Sequence, residues 1–257
     1  LHVKDCVLTG TEYVGGIAGE AGGKIIGCSA ENVEVSGWFA GCIAGHTYGM
    51  TVEDVTVTGC TANGGGKAGA VFGYADDLKL TGATVSGFSG NGGALIGHCN
   101  AGSTVLTNLV VDAAGKNLIN TTYSSSVTDI TIQSSETGET SITCAALLSD
   151  MGWGATDTTS LKIISGTYAV GSILAAGNQD SQVDITAGNY SVDVSDYVNN
   201  KTVLQVPSIP QTPYAVGATA ETLLQEEETT GTVTVLAVEK VDGTPKTLTV
   251  NAEVVLE

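Results

Sequence analysis

The chain has 257 residues, of which 42% are hydrophobic and 5% aromatic, so a buried core would consist mainly of small aliphatic side chains. Its net charge of −18 arises from 27 acidic residues against 9 lysines and no arginine. A surface of this charge repels phosphate backbones and anionic lipids, which excludes nucleic-acid binding. No run of about 18 apolar residues occurs, so the sequence predicts no membrane insertion.

The chain opens on Leu1, without an initiator methionine or a signal peptide. We therefore expect it to be a fragment of a longer, processed protein. Its 35 glycines are about twice the usual fraction, which predicts many turns or close backbone approaches.

A strand of the form Val-x-Val, followed by Ser or Thr and Gly, recurs along the chain. The clear copies are NVEVSG (32–37), DVTVTG (54–59) and GATVSG (82–87), and the looser ones are NLVVDA (108–113), DITIQS (129–134), SLKIIS (160–165) and QVDITAG (182–188). Aligning the copies predicts two inward columns, whose members are Cys6, Val33, Val55, Ala83, Leu109, Ile130, Leu161, Val183 and Leu8, Val35, Val57, Val85, Val111, Ile132, Ile163, Ile185. The residue between them is mostly polar, as in Glu34, Lys162 and Asp184, which is typical of an outward strand position.

A second apolar column keeps step with the first, and several of its members are followed two residues later by Gly. Its members are Ile17, Ile43, Val71, Leu95, Leu118, Leu147 and Leu174. A period of about 25 residues with several short strands and no helix is typical of a stacked β repeat. We therefore predict an all-β fold, a single-stranded parallel β-helix (solenoid) of about eight coils over residues 1–206, with a C-terminal β-hairpin.

Six cysteines occupy repeat positions where other copies carry small apolar residues: Cys6, Cys28, Cys42, Cys60, Cys99 and Cys144. An even count is compatible with three disulfides in a secreted chain. We favour buried free thiols that fill small slots in the core. None has the paired spacing of a structural zinc site.

The repeat pattern loosens after Gly188. Segments 190–198 and 202–207 are expected to form the last coil, and three prolines then mark a boundary. We predict a Pro-rich and acidic linker over 207–230. Alternating strands on either side of Asp242-Gly243 predict a β-hairpin over 231–257, as a cap or as the start of the next module.

Candidate functional residues are few. The residues after the column glycines, Glu20, His46, Tyr74 and His98, are weak candidates for a surface site, and a solvent-facing role without function is the favoured interpretation. Three acidic pairs could supply calcium ligands, and we do not favour them because none has the alternating spacing of a calcium loop: Glu53-Asp54, Asp76-Asp77 and Asp193 with Asp196. The sequence therefore predicts no catalytic residue, no cofactor and no metal.

The segment YVGGIAGEAGGKIIGCSAENVEVSG (13–37) resembles the GLUG repeat of bacterial surface proteins, with its Val-Gly-Gly start, Gly-Gly turn and closing Val-Ser-Gly. FAGCIAG (39–45), KAGAVFG (67–73) and NGGALIG (91–97) resemble its first half, and the resemblance fades after about residue 100. It implies a secreted or wall-attached protein, found at the cell surface beside adhesive or IgA-cleaving modules. It implies no catalytic residue in the repeat.

Two functions are then open. The first is a non-catalytic repeat module that acts as a stalk or an adhesive surface, with a host or cell-surface glycan or protein as partner. The second is a polysaccharide-degrading β-helix enzyme, either a uronate lyase or a glycoside hydrolase. A lyase would use Arg or Lys as its base, and this chain has no Arg and only scattered lysines. We therefore favour the surface module.

Overall fold

The computed structural model describes residues 1–100, 102–122, 128–149, 159–175, 182–198, 202–205, 211–217, 231–241 and 244–254. It is an all-β structure in which parallel strands stack as a β-solenoid of about six turns. Within these ranges the one helical segment is a short 3-10 turn, Ser195–Tyr197. The predicted fold class is confirmed, and the chain is a parallel β-solenoid protein.

The strands are short in the first coil and are longer where a single strand continues across two faces of a coil. The first twelve are β1 (His2–Lys4), β2 (Val7–Thr9), β3 (Tyr13–Gly15), β4 (Ala18–Ile26), β5 (Ser29–Glu31), β6 (Glu34–Gly41), β7 (Ala44–Thr58), β8 (Thr61–Gly69), β9 (Phe72–Ser86), β10 (Ser89–Gly90), β11 (Ile96–Cys99) and β12 (Gly102–Ala113). The remaining strands are β13 (Ile119–Thr122), β14 (Thr128–Gln133), β15 (Ser141–Leu148), β16 (Thr159–Ile163), β17 (Thr167–Leu174), β18 (Gln182–Ile185), β19 (Gly188–Tyr190), β20 (Thr202–Gln205), β21 (Tyr214–Val216), β22 (Gly231–Val241) and β23 (Thr244–Val254).

Two ladders of inward side chains run the length of the solenoid. The isoleucine ladder consists of Ile25, Val52, Leu80, Leu106, Ile132, Ile163 and Ile185, each paired with the next in parallel register. The valine ladder consists of Val3, Ala30, Val57, Val85, Val111, Ile142, Tyr168 and Tyr190. Removing these apolar stacks from water is the main favourable term in the fold.

Among the described strands, a third face is found in the first part of the solenoid. There β2, β6, β8 and β10 stack with β3 as a separate five-stranded sheet, which ends at Gly90. The Lys116 ammonium group donates a hydrogen bond to the Gly90 carbonyl beside this end. The resemblance to the GLUG repeat also fades after about residue 100, close to the last described strand of this sheet.

Most of the predicted inward residues of the Val-x-Val repeats are buried, and their charged neighbours are not; Cys6, Leu8 and Val183 are only partly buried. Exposure is at most 1% for Val33, Val35, Val55, Val57, Val85, Ile130, Ile132, Ile163 and Ile185. Glu34 and Lys162 are exposed and Asp184 is partly exposed. The predicted alternation of inward and outward residues is therefore confirmed.

The predicted column nevertheless joins strands from different faces. Val35 pairs with Ala62 rather than with Val57. Val111 pairs with Ile142 rather than with Ile132. At two steps the column therefore moves from one face to another, so its eight members span fewer than eight complete coils, and the prediction of about eight coils is too high. Val-x-Val alternation is the same on every face, so periodicity cannot distinguish one face from another.

The second predicted column is correct in register over its first five members. The amide of each member donates to the carbonyl of the next, from Ile17 through Ile43, Val71 and Leu95 to Leu118. At the last step the pairing differs from the prediction by one residue, because Leu174 pairs with Leu148 and not with the predicted Leu147. Ile173 is the buried residue of that coil.

Beside this column the chain makes its tightest turn, which we call the glycine corner and define by Gly15, Gly41, Gly69 and Gly93 before the turn and Gly19, Gly45, Gly73 and Gly97 after it. A Cβ on Gly41 would lie 2.2 Å from the Ala44 carbonyl oxygen. A Cβ on Gly73 would lie 2.6 Å from the Ala40 amide nitrogen. Both contacts are with backbone, which cannot move aside. The glycines of the motif are therefore required for two strands to approach closely.

At other turns one residue adopts the left-handed backbone conformation, and this residue is Asp or Asn at some turns and Gly at others. The non-glycine residues with positive φ are Asp5, Asn32, Asp54, Asp77 and Asn108, with φ between 47° and 55°. Asp and Asn tolerate this conformation better than other side chains do. Asn32 Nδ2 also donates to Asp5 Oδ1 at 3.0 Å, so successive turns are linked.

All six cysteines are free, as predicted. Cys42, Cys60, Cys99 and Cys144 are buried, whereas Cys6 and Cys28 are partly exposed near the first coil. Burial raises the pKa of the Cys99 and Cys144 thiols to about 12. A hydrogen bond to Cys60 and burial raise the pKa of Cys42 further. These thiols therefore act as small core side chains.

The parallel stack ends near Tyr190, and the strands beyond it are antiparallel. β21 pairs with β19 and β20, and β20 pairs with β22. Segment 202–205 is therefore not part of a parallel coil, contrary to expectation. β21 lies within the stretch predicted as a linker. β22 and β23 form the antiparallel hairpin predicted over 231–257, and Val241 pairs with Thr244. The predicted turn residues Asp242 and Gly243 lie outside the described residues.

The glycine corner gives a first prediction. Gly73→Ala should lower the free energy of unfolding by more than about 2 kcal/mol, because the added methyl group meets backbone atoms on both neighbouring strands. Gly115→Ala is the matched control, since a Cβ there has no atom within 4 Å. Urea unfolding of both variants measures the difference. Equal stability would show that the corner does not depend on glycine.

The thiols give a second prediction. Denatured under non-reducing conditions, the protein should react with a thiol reagent at all six cysteines. When folded, it should react quickly only at Cys6 and Cys28, because the other four sulfur atoms are buried and out of reach of the reagent. Cys60 tests this most sharply, since its hydrogen bond with Cys42 lowers the pKa of its thiol to about 7 and burial alone then protects it. Mass spectrometry counts the modified residues. A mass corresponding to three disulfides would contradict the free-thiol structure.

Candidate functional site

The predicted candidates lie side by side on the strands that follow the glycine corner. Glu20 pairs with His46, His46 with Tyr74, Tyr74 with His98, and the ladder continues to Thr121. A parallel ladder two residues further along consists of Gly22, Tyr48 and Asp76. We call these two ladders together, from Glu20 to His98 and from Gly22 to Asp76, the corner face.

Aromatic rings interlock across the corner. The Tyr13 and His46 ring centroids are 4.9 Å apart, and those of Tyr13 and Phe39 are 5.3 Å apart. Tyr74 contacts Phe39 at 5.0 Å and His46 at 4.8 Å, both edge to face. Such ring pairs stabilise beyond the area they bury. The face is therefore a rigid surface.

His46 lies between two carboxylates from neighbouring coils. Its Nε2 is 3.0 Å from Asp76 Oδ2, and its Nδ1 is 3.7 Å from Glu20 Oε1. Nδ1 is buried and has no hydrogen-bond partner. The side chain is only 14% exposed, against 53% for Glu20 and 25% for Asp76. The histidine thus supports two acids that remain open to solvent.

His98 contradicts the solvent-facing interpretation of this column, because it is only 4% exposed. Its Nδ1 lies 2.8 Å from Thr121 Oγ1, and its ring stacks on Tyr74 at 4.9 Å. Burial, together with the nearby charge of Lys67, lowers the pKa of His98 to about 4. Burial likewise lowers the pKa of Lys67 and raises that of Tyr74 to about 12. His98 and Tyr74 therefore stay neutral at neutral pH.

Sequence reasoning found the column from Glu20 to His98 but missed the side chains that pack against it. Tyr13, Phe39 and Lys67 form a ladder of their own on the strands before the corner. Each stands two residues before a corner glycine, in YVG, FAG and KAG. That constant spacing was the available signal. The residue types at this position differ from coil to coil, so their chemistry does not reveal the ladder.

The acidic pairs considered for calcium have structural roles. Asp54 and Asp77 are left-handed turn residues, and Asp77 Oδ1 accepts a hydrogen bond from the Ser103 amide at 2.9 Å. Asp193 Oδ1 accepts hydrogen bonds from the amide and hydroxyl groups of Ser195, the first residue of the 3-10 turn, at 2.9 and 2.6 Å. Among the described residues no three His, Cys, Asp or Glu side chains are grouped to hold a metal ion.

A separate cleft of about 660 Å³ lies on the later coils. One wall is the 134–140 loop, held by Asn108, whose side chain makes two hydrogen bonds of 2.8 Å with Ser135. Gly166 and Gly188 also line the cleft and carry no side chain. Its ionisable lining residues are Glu136 and Glu139. Sequence analysis missed this cleft, since its parts are scattered over 134–217.

Comparison with protein-family models, with curated proteins and with solved structures finds no match to this chain. The resemblance to the GLUG repeat therefore stays a prediction. In the described part of the chain, no helix is long and apolar enough to cross a membrane.

The buried histidine gives a third prediction. Folding favours neutral His98, so the stability it contributes is present above pH 6.5 and is lost as the pH falls toward about 4. The loss should be on the order of 3 kcal/mol at 1.36 kcal/mol per pKa unit. His98→Gln should be less stable than wild type at pH 7 and should lose less stability between pH 7 and pH 4.

Urea unfolding across this pH range measures the effect. His2→Gln is the control, because the His2 side chain is 52% exposed in the first coil. Its pH profile should follow that of wild type. If His98→Gln also follows wild type, the buried neutral histidine is not the cause of the acid sensitivity.

Proposed function

We propose that this chain is a non-catalytic repeat module of a secreted or wall-attached bacterial surface protein, acting as a stalk or as an adhesive surface. The observation that carries the proposal is the unbroken parallel stacking of the isoleucine and valine ladders. Each coil adds about 4.8 Å of length through backbone hydrogen bonds and a continuous apolar core. Such a stack serves as a spacer whatever its outer side chains are.

The residues on the corner face also fit a binding surface better than a catalytic centre. A general acid or base must be held within reach of a substrate and with a pKa suited to proton transfer. His98 and Tyr74, whose pKa values are shifted, are neutral at neutral pH, and His98 is buried. The open side chains are Glu20 and Tyr48, which suit recognition of a partner. A glycan or protein at the cell surface is the partner we propose.

The cleft supports a second candidate, a polysaccharide-degrading enzyme. Glu136 and Glu139 lie in one loop at its wall, and paired carboxylates are what a glycoside hydrolase requires. No lysine or histidine is among the residues that line it, so this cleft suits a hydrolase better than a uronate lyase. It has no aromatic lining residue to position a sugar ring.

Turnover assays distinguish the two candidates and give a fourth prediction. The purified chain should release no reducing ends from neutral polysaccharides and no unsaturated products from polyuronates. Release that is abolished by Glu136→Gln with Glu139→Gln, at unchanged thermal stability, would overturn the non-catalytic proposal. Glu12→Gln with Glu34→Gln serves as the control for loss of two negative charges elsewhere.

A further inference from the structure

Tyr48 has an exposed aromatic ring whose position is fixed by a contact with the neighbouring coil. Its side chain is 49% exposed, yet its ring lies over Gly22 of the preceding coil. A Cβ on Gly22 would be 2.8 Å from Tyr48 Cε2 and 3.1 Å from Cζ, so the ring can rest there only because the residue is glycine. Tyr48 therefore covers backbone on one side and leaves surface open to solvent.

The ring is also held from the side. Its centroid is 5.6 Å from that of His46, which in turn contacts Tyr13 and Tyr74. An aromatic side chain fixed in this way loses little conformational entropy on binding a ligand. Stability alone does not require half of so large an apolar side chain to stay in water.

Carboxylates flank the ring on the neighbouring coils. Asp76 is the direct strand partner of Tyr48, and Glu20 is the partner of His46 in the coil before. Both are partly exposed, and the cation that contacts them is His46, when protonated. The corner face thus presents the apolar ring surface of Tyr48, with carboxylate hydrogen-bond acceptors nearby. A complementary ligand has an apolar face, several hydroxyl donors and no negative charge.

We propose that the corner face binds a neutral glycan, with a sugar ring stacked on Tyr48 and its hydroxyl groups donating hydrogen bonds to Glu20 and Asp76. Sugar rings have a C–H face that packs on aromatic rings and hydroxyl groups around their edge. Anionic glycans are disfavoured by the two carboxylates and by the net charge of −18. The inference rests on the proposed adhesive function and names the ligand class of that surface.

The test begins with the full chain on an array of neutral oligosaccharides and oligouronates, followed by calorimetry with the neutral oligosaccharide that binds best. Tyr48→Ala should weaken binding about tenfold or more. Tyr48→Phe should bind within about threefold of wild type, since the aromatic ring is preserved. Glu20→Ala, at an exposed position, should weaken binding several-fold without changing the thermal midpoint. Val110→Ala is the matched control, because Val110 is 50% exposed on another face.

Binding to neutral glycans with this pattern supports the proposal. Equal binding of uronates or unchanged binding by Tyr48→Ala would each overturn it. Absence of any glycan binding would also overturn it, yet would leave the stalk function standing, since a spacer needs no ligand. Polymer turnover would instead overturn the proposed non-catalytic function.

Discussion

The close approach of two strands at the glycine corner is the constraint on which the rest of the structure depends. With no side chain at Gly41 or Gly73, the strands on either side come into backbone contact. That contact fixes where each coil reverses direction. Because coils stack through parallel hydrogen bonds, a displaced turn in one coil would also displace the register of its neighbours. The glycines therefore set the geometry of the solenoid and not only of one loop.

The corner also explains why the candidate site lies where it does. Side chains next to a glycine column have room because the glycines carry no side chain, so Tyr13 and Phe39 can interlock with His46 and Tyr74. Burial in this layer keeps His98 neutral, whereas Glu20 and Tyr48 at its outer edge stay in solvent. The ladder therefore has a buried, structural side chain at His98 and a solvent-accessible side chain at Glu20.

Much of the fold could be predicted from the residues, because alternation along a strand is a local property. Val33 and Val35 had to face inward if Glu34 was to stay in water, and they do. The pairing of Val35 with Ala62 could not be predicted. Both Val-x-Val strands offered the same pattern, and the choice between faces depends on how many residues each turn takes up.

The sequence by itself determined the β-solenoid class, the inward residues and the position of the glycine column, because each follows from periodicity and side-chain size. It favoured free thiols without excluding disulfides. Only the tertiary structure decided which faces stack, that His98 is buried, and that Tyr48 lies over Gly22 beside Asp76. Those features depend on contacts between residues about one coil apart, such as the separation of 23 between His98 and Thr121. The length of each coil varies, so that alignment is set by packing and not by any local pattern.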